Sequence, residues 1–320
     1  MVVAPGIHWA RLSLPFRLNH INVWLIEGDD GLTIIDTGIA DNNTPAQWEC
    51  IVTASLAPRG VARIVATHHH PDHCGLLGWM SARFGAPVAM SRNEWLSGQF
   101  YLRENDPILL AASESFYRRA GYPAGQFDGS QIPFTSLTQK FPTQYQRLID
   151  GETIFAGGAW TVMTFGGHAP ELVCLYSEER KILIASDQVL PAISPIIAIA
   201  PHEPEENPLD EFLKSLEALK RLPADTLVLP SHGMPYLALH VRLDALLAHH
   251  QRRLGALSNA LDVPRNAAML TARLFPEVPQ GFDRIFALGE TLAHIRYLER
   301  RGEVRRSADS GGVDYFQRVG

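Results

Sequence analysis

The chain has 320 residues, 46% hydrophobic and 19% charged, with a net charge of −6. This is ordinary globular composition, and it excludes a disordered chain; 25 glycines and 22 prolines scattered without a repeat exclude a collagen-like one. Three cysteines, Cys50, Cys74 and Cys174, are too few and too dispersed for a disulfide scaffold, so a reducing compartment is expected.

The opening stretch, MVVAPGIHWARLSLPF, lacks the charged and apolar regions of a secretory signal. No run reaches the ~18 apolar residues of a membrane span. A soluble cytoplasmic protein without a membrane partner is therefore expected. Short apolar runs then recur: NVWLI (22–26), LTIID (32–36), RIVATH (63–68), WTVMTF (160–165), LVCLY (172–176), KILIASD (181–187) and TLVLPSH (226–232). Their length and β-branched content predict strands, and GDDG at 28–31 predicts a hairpin turn between the first two. Residues 92–150, rich in Tyr, Phe, Gln and Arg, predict a helical insertion or lid. Pro208 to Leu222 predicts a helix with Asn207 as its N-cap, and Leu237 to Leu257 a second amphipathic helix.

Past residue 260 the strand pattern stops. Helices are expected at Asn266–Phe275 and Ile285–Arg301, the latter with Leu288, Leu292, Ile295 and Leu298 on one face, followed by a hairpin from EVRRSAD through SGG to VDYFQ. Helices followed by a hairpin suggest a winged-helix module. Two units are thus expected: residues 1–250 with the insertion, and residues 251–320. The second carries 11 arginines against 8 acids on an otherwise acidic chain. That permits nucleic-acid contact, although a solvated surface would look the same.

The chemistry concentrates in THHHPDHCG, residues 67–75, directly after an apolar strand. Packing several imidazoles and a carboxylate together without a cation is costly, and the donor set suits a divalent metal such as zinc. Residues two apart on an extended strand end point the same way, so His68 and His70 can share one ion. Pro71 then bends the chain so that Asp72 and His73 can face a second. Three further candidates each end a strand: His168, Asp187 and His232. A lone histidine at such a place is ordinarily just a hydrogen-bonded residue; it is the HHHPDH cluster that promotes these three. His69, between two ligands, should point away, and Cys74 should be a small packing residue.

These residues resemble the metallo-β-lactamase superfamily, through the HxHxDH signature at His68, His70, Asp72 and His73, then His168 in GGHAPE, Asp187 in IASD, His232 in LPSHG and Asp36 in IDTG. The resemblance covers roughly residues 15–250. It implies an αββα sandwich with the site on one edge. It assigns His68, His70 and His168 to a first metal, Asp72, His73 and His232 to a second, and Asp187 to both. Asp36 is the candidate for fixing an imidazole from outside the ligand set. The C-terminal part resembles the winged-helix extension of the lactamase-β-2-like branch, whose human type is an endoribonuclease.

The resemblance further implies a hydrolase in which two zinc ions (with iron or manganese as alternatives) activate a hydroxide, Asp72 orienting it and taking its proton. The substrate is a small ester, thioester, lactone or phosphodiester. RNA and a second copy of the chain are carried as alternative partners, and an iron oxidoreductase of the persulfide dioxygenase type as an alternative activity. Antibiotic hydrolysis fits poorly, because Asp187 stands where one class of zinc β-lactamases has cysteine. THHHPDH also resembles glyoxalase II, but the C-terminal tail does not. Selectivity is expected to lie in the aromatic insertion, with Trp95, Phe100, Tyr101, Phe116, Tyr117 and Tyr122.

Overall fold

The computed structural model describes residues 1–55, 60–126, 134–277 and 282–320; part of the expected insertion, residues 127–133, lies outside them. Two mixed sheets stack face to face. The first runs in the order β1 (Val2–Ala4), β2 (Ile7–Ser13), β3 (His20–Gly28), β4 (Gly31–Ile35), β5 (Val61–Val65), β6 (Val88–Met90) and β7 (Gln146–Arg147). Its first four strands are antiparallel, and β4 through β7 are parallel. The second has the order β12–β11–β10–β9–β8: β8 (Thr153–Phe155), β9 (Ala159–Phe165), β10 (Leu172–Ser177), β11 (Ile182–Ser186) and β12 (Leu227–Pro230). There β11 and β12 pair in parallel, and the other neighbours are antiparallel.

The strands read as unbroken apolar runs because both faces of each sheet are covered. In β3, Trp24 and Ile26 face the opposite sheet, while Ile21, Val23 and Leu25 face helices. In β10, Val173 and Leu175 point between the sheets, while Leu172, Cys174 and Tyr176 point out to the helices. The outer face of the first sheet is covered by α1 (Thr44–Ser55) and α3 (Leu77–Phe84), that of the second by α7 (Pro208–Leu219) and α8 (Leu239–Asn259). The layers are those expected, helices on sheet on sheet on helices. The four-residue turn α2 (Pro71–Cys74) carries the metal motif.

The expected insertion holds α4 (Arg92–Tyr101), α5 (Pro107–Arg119) and α6 (Phe134–Leu137), and it also supplies the edge strand β7. The C-terminal part consists of α9 (Ala267–Leu274), α10 (Phe282–Arg300) and the hairpin of β13 (Val304–Ala308) with β14 (Asp314–Arg318), in the expected order. Its core takes Leu288, Ile295 and Leu298 from α10, and also Tyr117 and Ala120 from the end of α5 within the insertion. Helix α8 continues across residue 250 into this part.

One local expectation fails. Asn207 precedes α7, but its side chain makes no capping bond; with ψ at 61° the backbone is not in the extended form that aims an N-cap oxygen at the first turn. Among the described residues, no helix is long and apolar enough to cross a membrane.

Candidate metal centre

Parallel pairing puts the C-terminal ends of β4 and β5 on one edge of their sheet, and that of β11 beside that of β12 in the other. Polar bonds stitch the two edges together. The amide of Val173 donates to the carbonyl of Thr67 at 2.8 Å, and that of Asn22 to Ser231 at 2.6 Å. The buried Asn22 amide nitrogen also donates to the carbonyls of Pro230 and Gly233. Loops from four strand ends therefore meet.

Strand β5 stops at Val65, so His68 and His70 follow the strand rather than ending it. His70 is held extended (φ −61°, ψ 145°), as a residue before proline must be, and Pro71 opens the turn α2 with no N–H to lose. That turn carries Asp72 and His73 toward a second set of donors, while the His73 ring stays 3.9 Å from that of His68. At the end of β9, Gly167 (φ +110°) lets the chain pass against α7; a Cβ there would lie 2.5 Å from that of Phe212. His168 follows directly.

All seven expected side chains converge, in two halves. His68 Nε2 lies 2.9 Å from His70 Nδ1 and 3.3 Å from His168 Nε2. In the other half, Asp72 Oδ2 lies 3.6 Å from His73 Nε2 and 3.4 Å from His232 Nε2. Asp187 sits between: Oδ2 is 3.5 Å from His168 Nε2, while Oδ1 is 3.6 Å from His73 Nε2 and 3.5 Å from His232 Nε2.

These carboxylate contacts are too long for good hydrogen bonds. They match two donors that share an ion: ligands each ~2.1 Å from a tetrahedral centre lie about 3.4 Å apart. Among the described residues, His73 Nε2 and Asp187 Oδ1 are buried without a hydrogen-bond partner, a cost that a cation would remove. The donor set therefore fits divalent metal.

The far nitrogens of three rings meet acceptors. His73 Nδ1 lies 2.8 Å from Asp36 Oδ2, His168 Nδ1 2.9 Å from the Ile196 carbonyl, and His232 Nδ1 2.8 Å from the His20 carbonyl. A proton held at Nδ1 leaves the Nε2 lone pair facing the site. Asp36, as expected, acts from outside the cluster, and it is itself fixed by the Thr67 amide at 2.8 Å and the Thr67 hydroxyl at 2.9 Å.

Charge divides the centre in the same way. Burial, reinforced by neighbouring imidazoles, pushes His68 and His70 well below the usual imidazole range, and burial lowers His168. Burial opposes charge on His73 too, yet Asp72, Asp36 and Asp187 together raise it well above that range. His232 rises to about 10 against burial, through Asp187 and Asp72. The second half thus carries surplus negative charge seeking a cation.

His69 points away, as expected. Its Nδ1 lies 2.6 Å from Glu94 Oε2, which also accepts from its backbone amide, and its ring stacks on Tyr101 at 5.1 Å. Cys74 is buried, its thiol donating to the His69 carbonyl. The insertion aromatics mostly pack. Trp95 stacks on Tyr145 at 4.3 Å, while Phe116, Tyr117 and Tyr122 join the C-terminal core. Sequence reasoning missed Glu94, Ser186 and the carbonyls of His20 and Ile196. Ser186 donates to Thr67 Oγ1 at 2.8 Å; a serine before the IASD aspartate was the one available signal.

Of the eleven C-terminal arginines that permit nucleic-acid contact, the five between residues 296 and 306 are engaged within the chain. Arg296 and Arg306 pair with Glu205 and Glu299, Arg301 pairs with Glu303, Arg300 bonds the Glu205 carbonyl, and Arg305 bonds Gln317.

Residues 17–232 match the family described as metallo-beta-lactamase superfamily, and residues 254–319 match that described as metallo-beta-lactamase-like, C-terminal domain. The probable metallo-hydrolase YqjP of Bacillus subtilis (strain 168) is 25% identical over 316 residues, 96% of each chain. The acyl-coenzyme A thioesterase MBLAC2 of Homo sapiens is 28% identical over 203 residues, 58% of this chain and 63% of that protein. The crystal structure of a beta-lactamase domain protein from Burkholderia ambifaria is similar with a TM-score of 0.89 and 35% identity, over 100% of this chain and 93% of that one.

Proposed function

The chain belongs to the metallo-beta-lactamase superfamily and is a metal-dependent hydrolase, and from that premise we propose that it cleaves a small acyl thioester or ester with two zinc ions. The observation that carries the reading is Asp187, which presents one carboxylate oxygen to each half of the centre. His68, His70 and His168 would hold one ion, Asp72, His73 and His232 the other, and Asp187 would touch both. A bound pair of this kind lowers the pKa of water to about 7 and draws electron density from a carbonyl oxygen.

The chain's own residues do the rest. Asp36 and the two backbone carbonyls keep His73, His168 and His232 in the tautomer that faces inward. Asp72, partly open to solvent, is the carboxylate placed to take the proton released when water attacks an acyl carbon. Tyr101, stacked over His69 from α4, brings the insertion against the metal motif and is positioned to shape substrate choice. Two facts favour an acyl substrate over RNA: the human relative is a thioesterase, and Arg296, Arg301 and Arg306 are paired with acids.

The test is a substrate panel with zinc-loaded protein: acyl-coenzyme A thioesters, p-nitrophenyl esters, lactones, nitrocefin, bis-p-nitrophenyl phosphate and single-stranded RNA, with elemental analysis alongside. Thioester or ester turnover should lead, with two equivalents of zinc. Turnover confined to phosphodiesters, or iron content with oxygen uptake, would overturn the reading.

A further inference from the structure

The loop from Pro191 to Ala200 supplies the Ile196 carbonyl that fixes His168, and elements outside the sandwich strands tie this loop down. From α8, Arg242 Nε donates to the Leu190 carbonyl at 2.5 Å and Nη2 to the Ile193 carbonyl at 2.7 Å. From α10, the Gly289 carbonyl accepts from the Ile199 amide at 3.1 Å; a Cβ on Gly289 would come within 2.7 Å of the Ala198 methyl.

Between those anchors run two fully buried histidines, one from each helix. His294 Nδ1 lies 2.7 Å from the Glu290 carbonyl, His294 Nε2 lies 3.2 Å from His250 Nδ1, and His250 Nε2 lies 3.3 Å from Ser194 Oγ. The chemistry of the groups sets the direction of this chain. A carbonyl only accepts, so His294 carries its proton on Nδ1 and accepts at Nε2. His250 must then donate from Nδ1, which leaves its Nε2, 3.3 Å from Ser194 Oγ, as an acceptor that shares the Ser194 hydroxyl proton with the Pro195 carbonyl at 3.1 Å. Burial keeps both rings neutral, pushing His250 down to about 2 and His294 to about 4. Two buried imidazoles outside the metal centre thus end on a serine two residues from the carbonyl that orients His168.

We propose that His250 and His294 are positioning residues for the metal centre: through Ser194 they hold the Ile196 carbonyl on His168, so the C-terminal helices help to orient a ligand they do not touch. This rests on the reading of His168 as a metal ligand. Outer partners of ligating histidines typically change metal affinity by 10- to 100-fold, and a partner acting through a loop belongs at the lower end.

The experiment is a double-mutant cycle on zinc affinity, read by competition with a chromophoric chelator, with His168→Ala as the second substitution. Ser194→Ala and His250→Leu should each weaken zinc binding about 10-fold and lower kcat with little change in KM. Added to His168→Ala, they should weaken zinc no further. His250→Gln, which keeps one acceptor and one donor, should recover most of the loss. Additive losses in the His168→Ala background, or unchanged zinc affinity in both single variants, would overturn the proposal by reducing the pair to core packing. Full zinc affinity in His168→Ala alone would instead sink the ligand reading beneath it.

Discussion

Asp36 Oδ2 and His73 Nδ1 meet 2.8 Å apart, both fully buried, across the mouth of two parallel strands. This pair decides which face of His73 is basic, and the other Asp36 oxygen is occupied by the Thr67 amide. In Asp36→Asn, an oxygen kept on Thr67 turns the amide NH2 toward His73. The ring must then shift its proton to Nε2 and lose the lone pair that faces Asp72 and Asp187. We expect metal affinity of the Asp72, His73 and His232 half to fall 10- to 100-fold, with little change in the other half. Stepwise zinc titration by calorimetry checks this, and equal losses in both steps would contradict it.

His70 is expected to be indispensable. His70→Ala should abolish turnover and lower the bound metal measured by elemental analysis. Unchanged turnover in chelator-stripped protein would contradict the role given to the whole cluster.

Glu94 is fully buried and accepts from the His69 ring, the His69 amide and the Glu171 amide. Removing it leaves those donors without an acceptor, each lost bond to a charged group being worth about 1.5–3 kcal/mol. Glu94→Ala should therefore lose about 3 kcal/mol or more in a denaturant titration, and Glu94→Gln less, since an amide oxygen still accepts. A loss under about 1 kcal/mol would show that Glu94 is not an anchor.

His250 gives the fold an acid sensitivity. Burial, with His294, His249 and Arg253 adding to it, moves the folded ring from 6.5 to about 2, and the Glu290 carboxyl nearby is itself raised by burial. Below pH 6.5 the unfolded chain therefore takes up a proton that the folded chain refuses, and stability falls as the pH drops. His250→Leu should make the slope of unfolding free energy between pH 6 and 4 shallower by up to about 1.4 kcal/mol per pH unit. An identical slope would show that the folded ring is protonated.

Much of this was legible in the sequence because both faces of the central strands are apolar. NVWLI and KILIASD announce β3 and β11 without any pattern from their neighbours. The segments missed carry weaker signals. Strand β2 mixes His8, Trp9 and Arg11 with apolar residues at the half-exposed side of its sheet. Helix α1 has no acidic first turn or basic last turn to mark it. The seven clustered side chains were legible because histidine and aspartate at strand ends are conspicuous. The groups that aim them were less so, since the carbonyls of His20 and Ile196 belong to the backbone and leave no trace in residue type. Asn207 shows the converse, a residue of the favoured type whose backbone angles take its oxygen elsewhere.

Tyr117 and Ala120 lie in the C-terminal core, although they belong to the insertion between the sheets; the Ala120 carbonyl takes the Ala268 amide at 2.9 Å, and Arg119 reaches Asp314. Trimming the polypeptide after the second sheet would thus bare an oily flank on the insertion and cut the moorings of the 191–200 loop in one stroke. A minimal catalyst cannot be obtained by simple truncation; any shortened version has to redesign that flank as well.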